Sequence, residues 1–154
     1  NQENTQVIIT PTQMLNLDTD YLLKLDAQAQ TVDGGSLREG LEWNFHTIPE
    51  PKVISITPTD GSIQKTYSGE LRIKFASPMN IQSVKERIQI TPTPTEDIQW
   101  WYNEWDWSIS AYFLQPSSQY QVRLLPGMQD IYGNTMRESF LTRFTTAAYS
   151  PSAG

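Results

Sequence analysis

Residues 120–146 read YQVRLLPGMQDIYGNTMRESFLTRFTT, and residues 21–47 read YLLKLDAQAQTVDGGSLREGLEWNFHT. A constant shift of 99 positions superposes the two stretches without a gap. Tyr21 then meets Tyr120, Leu25 meets Leu124, Gln30 meets Gln129 and Gly34 meets Gly133. Arg38-Glu39 meets Arg137-Glu138, Phe45 meets Phe144 and Thr47 meets Thr146. Val32/Ile131, Leu37/Met136 and Leu41/Phe140 are apolar in both copies. Each copy is two alternating runs around a turn-rich connection. An internal repeat sets the fold unit, and this period is the size of one β-sandwich domain.

Working outward, alternation defines the strands. Tyr120, Val122 and Leu124 share one face, as do Tyr21, Leu23, Leu25 and Ala27 in the first copy. Leu41, Trp43 and Phe45 repeat the pattern, with Glu42, Asn44 and His46 opposite. Phe140 and Phe144 are their second-copy counterparts on the inward side. A period of two is the mark of a half-buried strand. Leu71, Ile73 and Phe75 alternate with Glu70, Arg72 and Lys74. Ile54 and Ile56 alternate with Ser55 and Thr57, and Ile88 and Ile90 form a short strand. Val7-Ile8-Ile9 reads as another short strand, and Gln82–Arg87 as one helical turn with Asn80 as its cap.

Residues 98–113, IQWWYNEWDWSISAYF, read as a hairpin turning at Asn103-Glu104. Ile98, Trp100 and Tyr102 share one face of its first strand. Trp105, Trp107, Ile109, Ala111 and Phe113 share one face of its second. The expected core therefore includes Leu71, Ile73, Phe75, Trp105, Trp107, Ile109, Tyr120, Val122, Leu124, Phe140 and Phe144. About eight strands across 52–146, with turns at regular spacing, predict an all-β, antiparallel two-sheet sandwich.

The two prolines of Ile48-Pro49-Glu50-Pro51 remove backbone donors and favour an extended chain. This gives a division into 1–48, the last strands of a sister domain; a linker at 49–51; a complete sandwich at 52–147; and the start of a further linker at 148–154. The half copy at the front, with Asn1 as first residue, leads to the expectation of a piece from a longer chain.

Composition narrows the function. The 154 residues carry a net charge of −6, with 11 scattered basic residues. That balance disfavours nucleic acid and anionic membrane as partners. No run of about 18 apolar residues is present to cross a membrane. Cysteine is absent, so disulfides, thiolate metal sites and a cysteine nucleophile are excluded.

The residue pattern resembles the bacterial Ig-like domains that recur as tandem modules of surface proteins. The matching motifs are Pro58 to Gly61 (Pro-x-Asp-Gly), Phe75 to Met79 (Phe-x-x-Pro-Met), Tyr120, Asp130 to Asn134 (Asp-x-x-Gly-Asn) and the closing Phe144-Thr145-Thr146. The resemblance covers 52–146, and 15–47 as a truncated copy. The Trp-rich hairpin, residues 130–134 and the Tyr149-Ser150-Pro151 tail are similar to the Ig-like modules near the front of bacterial α2-macroglobulin-like protease traps. The thioester chemistry of those proteins lies in a Cys-Gly-Glu-Gln motif, which a cysteine-free segment does not carry. The resemblance implies an extracellular or cell-surface location within a longer chain. Neighbouring domains of that chain, or another protein, would be the partners.

Candidate chemistry is sparse. His46 is the single histidine; any Ser/His/Asp set needs it, yet it falls on a solvent face, where a plain surface residue is the simpler reading. Glu104 and Asp106 among tryptophans suggest a glycosidase pair, but flanking a turn they read as turn polarity. Asp18, Asp20, Asp33, Asp60 and Asp130 lie in loops without the dense oxygen run of a calcium site; turn hydrogen bonds explain them. No cofactor is expected. Trp101 and Tyr112 fall on the outward parity, and exposed aromatics often mark interfaces. The expected function is a non-catalytic spacer or interaction module. The alternative is a carbohydrate-binding module using Trp101, Tyr102 and Tyr112; an enzyme ranks third.

Overall fold

The computed structural model describes residues 6–150. They form two compact units that divide between Pro49 and Glu50, inside the proline-rich segment. In the first unit, β1 (Asp20–Leu25) and β2 (Leu41–His46) make an antiparallel pair running from Asp20↔His46 to Leu25↔Leu41. Lys24 and Glu42, opposite one another on the polar face, form an ion pair at 2.8 Å.

The second unit is an antiparallel β-sandwich. One sheet has four strands, in the order β3 (Val53–Thr57), β4 (Glu70–Phe75), β7 (Ser108–Tyr112), β6 (Trp101–Asn103). The other has three, β5 (Ile88–Thr91), β8 (Gln119–Leu124) and β9 (Phe140–Thr145). A short helix, α1 (Ile81–Arg87), precedes β5. It begins where Asn80 Oδ1 accepts from the Gln82 and Ser83 amides, satisfying donors the first turn leaves free.

The inner faces follow the alternation. Leu71, Ile73, Phe75, Ile109, Ala111, Tyr120, Val122, Leu124 and Phe144 are buried; Phe140, Trp100, Tyr102 and Phe113 are half-buried against them. At roughly 1.5–3 kcal/mol per large side chain, this burial is what holds the two sheets together. Beyond β9, Ile63 makes a parallel bridge to Thr145, and Gln64 N donates to Thr145 O at 2.9 Å. Residues 60–64 thus occupy the outer edge of the three-stranded sheet.

Four expectations need correction. The hairpin turns over Glu104–Trp107 rather than at Asn103-Glu104. Asn103 Oδ1 accepts from Trp105 N at 2.9 Å, and Trp107 adopts a left-handed backbone at φ 53. A wider turn removes these residues from the strand parity. Trp105 is therefore 96% exposed instead of core, and Trp107 is only half-buried. Ile54 does not share a face with Ile56: a bulge between Val53 and Ser55 turns Ile54 outward and Val53 inward. Val7-Ile8-Ile9 belongs to no strand and is exposed; a strand exists only where a neighbour accepts its ladder. Strand β1 stops at Leu25, leaving Ala27 in a turn.

Candidate functional site

The outer face of the four-stranded sheet carries a pair of exposed aromatics, Trp101 and Tyr112. Trp101 lies opposite Ser110, and Tyr112 lies two residues further along β7, opposite Glu70. Their rings meet edge to face, with centroids 5.7 Å apart and planes at 69°. Trp101 is 55% and Tyr112 64% exposed. Trp101 opens β6, a three-residue edge strand, and Tyr112 ends the neighbouring β7. Trp105, in the hairpin turn, is also exposed.

Tyr102 is not part of this patch. It lies opposite Ile109 and packs against the core. Burial first, then the negative charges of Glu104 and Asp106, pushes its phenol above the ordinary value, so it remains a protonated donor. Trp101 and Tyr112 remain on the outward side, and with their planes at 69° they do not form one flat stacking surface.

The polar residues of the hairpin are engaged with one another. Asp106 accepts from Ser108 Oγ at 2.7 Å and from the Arg72 guanidinium of β4. The Ser108 bond, followed by Arg72, holds the Asp106 carboxyl below its usual range. An ionised, anchored carboxylate of this kind fixes the turn and is a poor general acid. Arg72 and Ser108 were not singled out from the sequence; the Asp-x-Ser spacing at 106–108 is the signal that points to them.

The remaining candidates are also structural. His46 is exposed, with Nδ1 2.8 Å from Asp20 Oδ1 and Nε2 3.0 Å from Asp18 Oδ1. The Asp20 and then the Asp18 hydrogen bonds raise its pKa above 6.5. Each ring nitrogen thus faces a carboxylate, and in the protonated form both donate and leave no lone pair for a metal or a substrate proton. Asp60 Oδ1 accepts from Arg143 N at 2.7 Å, tying the opening loop to β9. Asp130 is buried and accepts from the amides of Tyr132 and Asn134 and from the Asn134 side chain, at 2.8–2.9 Å. Asp33 is exposed in the loop that corresponds to residues 130–134. Among the described residues no three His, Cys, Asp or Glu side chains are placed to hold a metal ion.

The second unit also carries two open grooves. One, of about 550 Å³, runs past Gly61–Ile63, Pro92, Tyr120 and Arg143; its arginine is tied to Gln121 Oε1 at 2.9 Å. The other, of about 410 Å³, lies between Lys85, Ile88, Ile90 and residues 93–98.

Fold and surface define an antiparallel β-sandwich module with exposed aromatics at one sheet edge. Comparison with known sequences agrees: the bacterial Ig-like domain family matches residues 49–146, and the chain belongs to that family. No curated protein matches it. Among solved structures, an L,D-transpeptidase from Mycobacterium smegmatis is similar at 17% identity and a TM-score of 0.45, over 63% of this chain and 40% of that one. The surface layer protein SbsC, domains 1–6, is similar at 20% identity and the same TM-score, over 67% of this chain and 14% of that one. A second structure of the S-layer protein, rSbsC(31-844), is 21% identical over 67% of this chain and 14% of that one, again at 0.45. The chain spans less than half the length of each.

Proposed function

We propose that this chain is a non-catalytic spacer and interaction module of a large secreted or cell-surface protein, and that its contact is made through the outer edge at Trp101 and Tyr112. The observation that supports this is the contrast within one hairpin. Asp106, Ser108 and Arg72 spend their hydrogen bonds on one another, whereas the two adjacent aromatic rings remain in water. Exposed aromatics beside a short edge strand suit a contact that buries both rings. The occupant is a neighbouring domain of the same parent chain or another protein. A parent of the α2-macroglobulin-like, protease-inhibitor class is the finer reading; it rests on the Trp-rich hairpin, the Asp130–Asn134 loop and the Tyr149-Ser150-Pro151 tail.

Hydrogen exchange on the parent chain tests the proposal. Amides of β6 and β7 should exchange more slowly there than in residues 1–154 alone, and Trp101→Ala should remove the difference. Equal exchange in both contexts overturns it. Soluble polysaccharides should leave tryptophan fluorescence unchanged; saturable quenching abolished by Trp101→Ala would instead establish the carbohydrate-binding alternative.

A further inference from the structure

The two copies of the repeat agree far beyond their strands. The β1–β2 register, Tyr21↔Phe45 and Leu23↔Trp43, is reproduced 99 residues on by Tyr120↔Phe144 and Val122↔Thr142. Asn16 N donates to Tyr21 Oη at 2.8 Å, as Gln115 N does to Tyr120 Oη at 2.9 Å. Asp18 and Ser117 share a left-handed backbone, at φ 51 and 53. The connector that leads into the hairpin is thus the same in both units.

Their surroundings differ in three places. In the second unit, β4 and β7 cover the face that carries Val122, Leu124 and Phe144. The outer edge of β8 is paired with β5, and that of β9 with residues 60–64. In the first unit no strand pairs with either outer edge of β1–β2 among the described residues. Its apolar face is open, with Leu41, Trp43 and Phe45 each 40–48% exposed. All three missing coverings come, in the second unit, from one continuous stretch, 53–112.

We infer that the β1–β2 pair is the seat of a single occupant: the polypeptide immediately upstream in the parent chain, folded as a counterpart of residues 53–112, with Ile9 at the start of its last strand. At the 99-residue shift, Val7 and Ile8 fall on the turn residues Asp106 and Trp107 and Ile9 falls on Ser108, the first residue of β7; all three side chains stand exposed without a partner strand. A second copy of the chain laid face to face would cover the apolar side but leave both edges unpaired. Only a segment carrying counterparts of β4, β5, β7 and residues 60–64 satisfies the face and both edges together.

The absence of native cysteine gives a clean test. Leu23→Cys places one thiol on the open face, and Val122→Cys, in a separate chain, places one at the matched buried position. In residues 1–154 a maleimide should modify the first at least about 100-fold faster than the second. In a chain extended upstream by one repeat length, the Leu23→Cys rate should fall to within about tenfold of the Val122→Cys rate, and β1–β2 amides should gain matching protection from exchange. An unchanged rate in the extended chain overturns the inference. Slow labelling in residues 1–154 with a dimer in light scattering overturns it in favour of a second copy. If Val122→Cys fails to fold, amide exchange in the unsubstituted chains gives the same reading.

Discussion

The hairpin β1–β2 and the hairpin β8–β9 have the same length, register, tyrosine corner and connecting-loop bridge, yet opposite fates. Gln30↔Ser36 and Gln129↔Thr135 close the two loops alike, over Gly34 at φ 83 and Gly133 at φ 88. Thr47 Oγ1 accepts from Thr19 N and donates to Asn16 O, as Thr146 Oγ1 accepts from Ser118 N and donates to Gln115 O. Tyr21 stacks on Phe45 at 5.6 Å and Tyr120 on Phe144 at 5.8 Å. Leu124 is nevertheless fully buried, while Leu25 is only half-buried. Local geometry is therefore written in the strand and loop residues themselves, and burial is conferred by what packs against them.

Matched substitutions turn that difference into numbers. Leu124→Ala should lower the stability of the second unit by about 2–5 kcal/mol, the range for truncating a buried leucine. Leu25→Ala should cost the first unit under about 1.5 kcal/mol, because half of that surface is already in water. Urea unfolding followed unit by unit reads both; equal losses would erase the contrast. Next is Asp130→Ala, which strips a buried turn of the acceptor for three N–H groups. It should cost about 2–3 kcal/mol. The counterpart, Thr31→Ala, removes one exposed bond to Gly35 N and should cost about 0.5 kcal/mol or less. Tyr120→Phe, which loses the bond to Gln115 N, should cost about 1 kcal/mol, and Tyr21→Phe less than that because its bond is exposed.

The smallest effect is on pH. The paired form of His46 is the protonated one, since Asp20 and Asp18 raise its pKa above 6.5. Its contribution to the first unit is therefore fully present below about pH 6.5 and lost as pH rises through the raised value. The second unit has Thr145 at that position and should show no such change. Proton NMR titration of His46, alongside amide exchange in β1–β2, checks it; a histidine titrating at 6.5 or below contradicts the pairing.

Much of the fold was legible from side-chain alternation. Leu71, Ile73 and Phe75 face inward because a strand with one polar side has one arrangement that buries its apolar side. Asn80 reads as a cap because its short side chain reaches the first free amides of a helix. The candidate site was less legible. Trp105 and Trp107 read as core because alternation was carried through residues that form a turn. Tyr102 matches Trp101 and Tyr112 in residue type, but parity places it with Trp100 on the opposite face. The bulge at Ile54 left no trace in composition, since isoleucine suits either side of an edge strand.

The sequence by itself determined the repeat, the strand spacing and the hairpin geometry, because period-two patterning and turn chemistry act between residues close along the chain. Only the tertiary structure decided which aromatics stay in water, where β9 finds its edge partner and why Val7-Ile8-Ile9 forms no strand. Those outcomes depend on a neighbour distant in sequence being present to accept a hydrogen bond or exclude solvent.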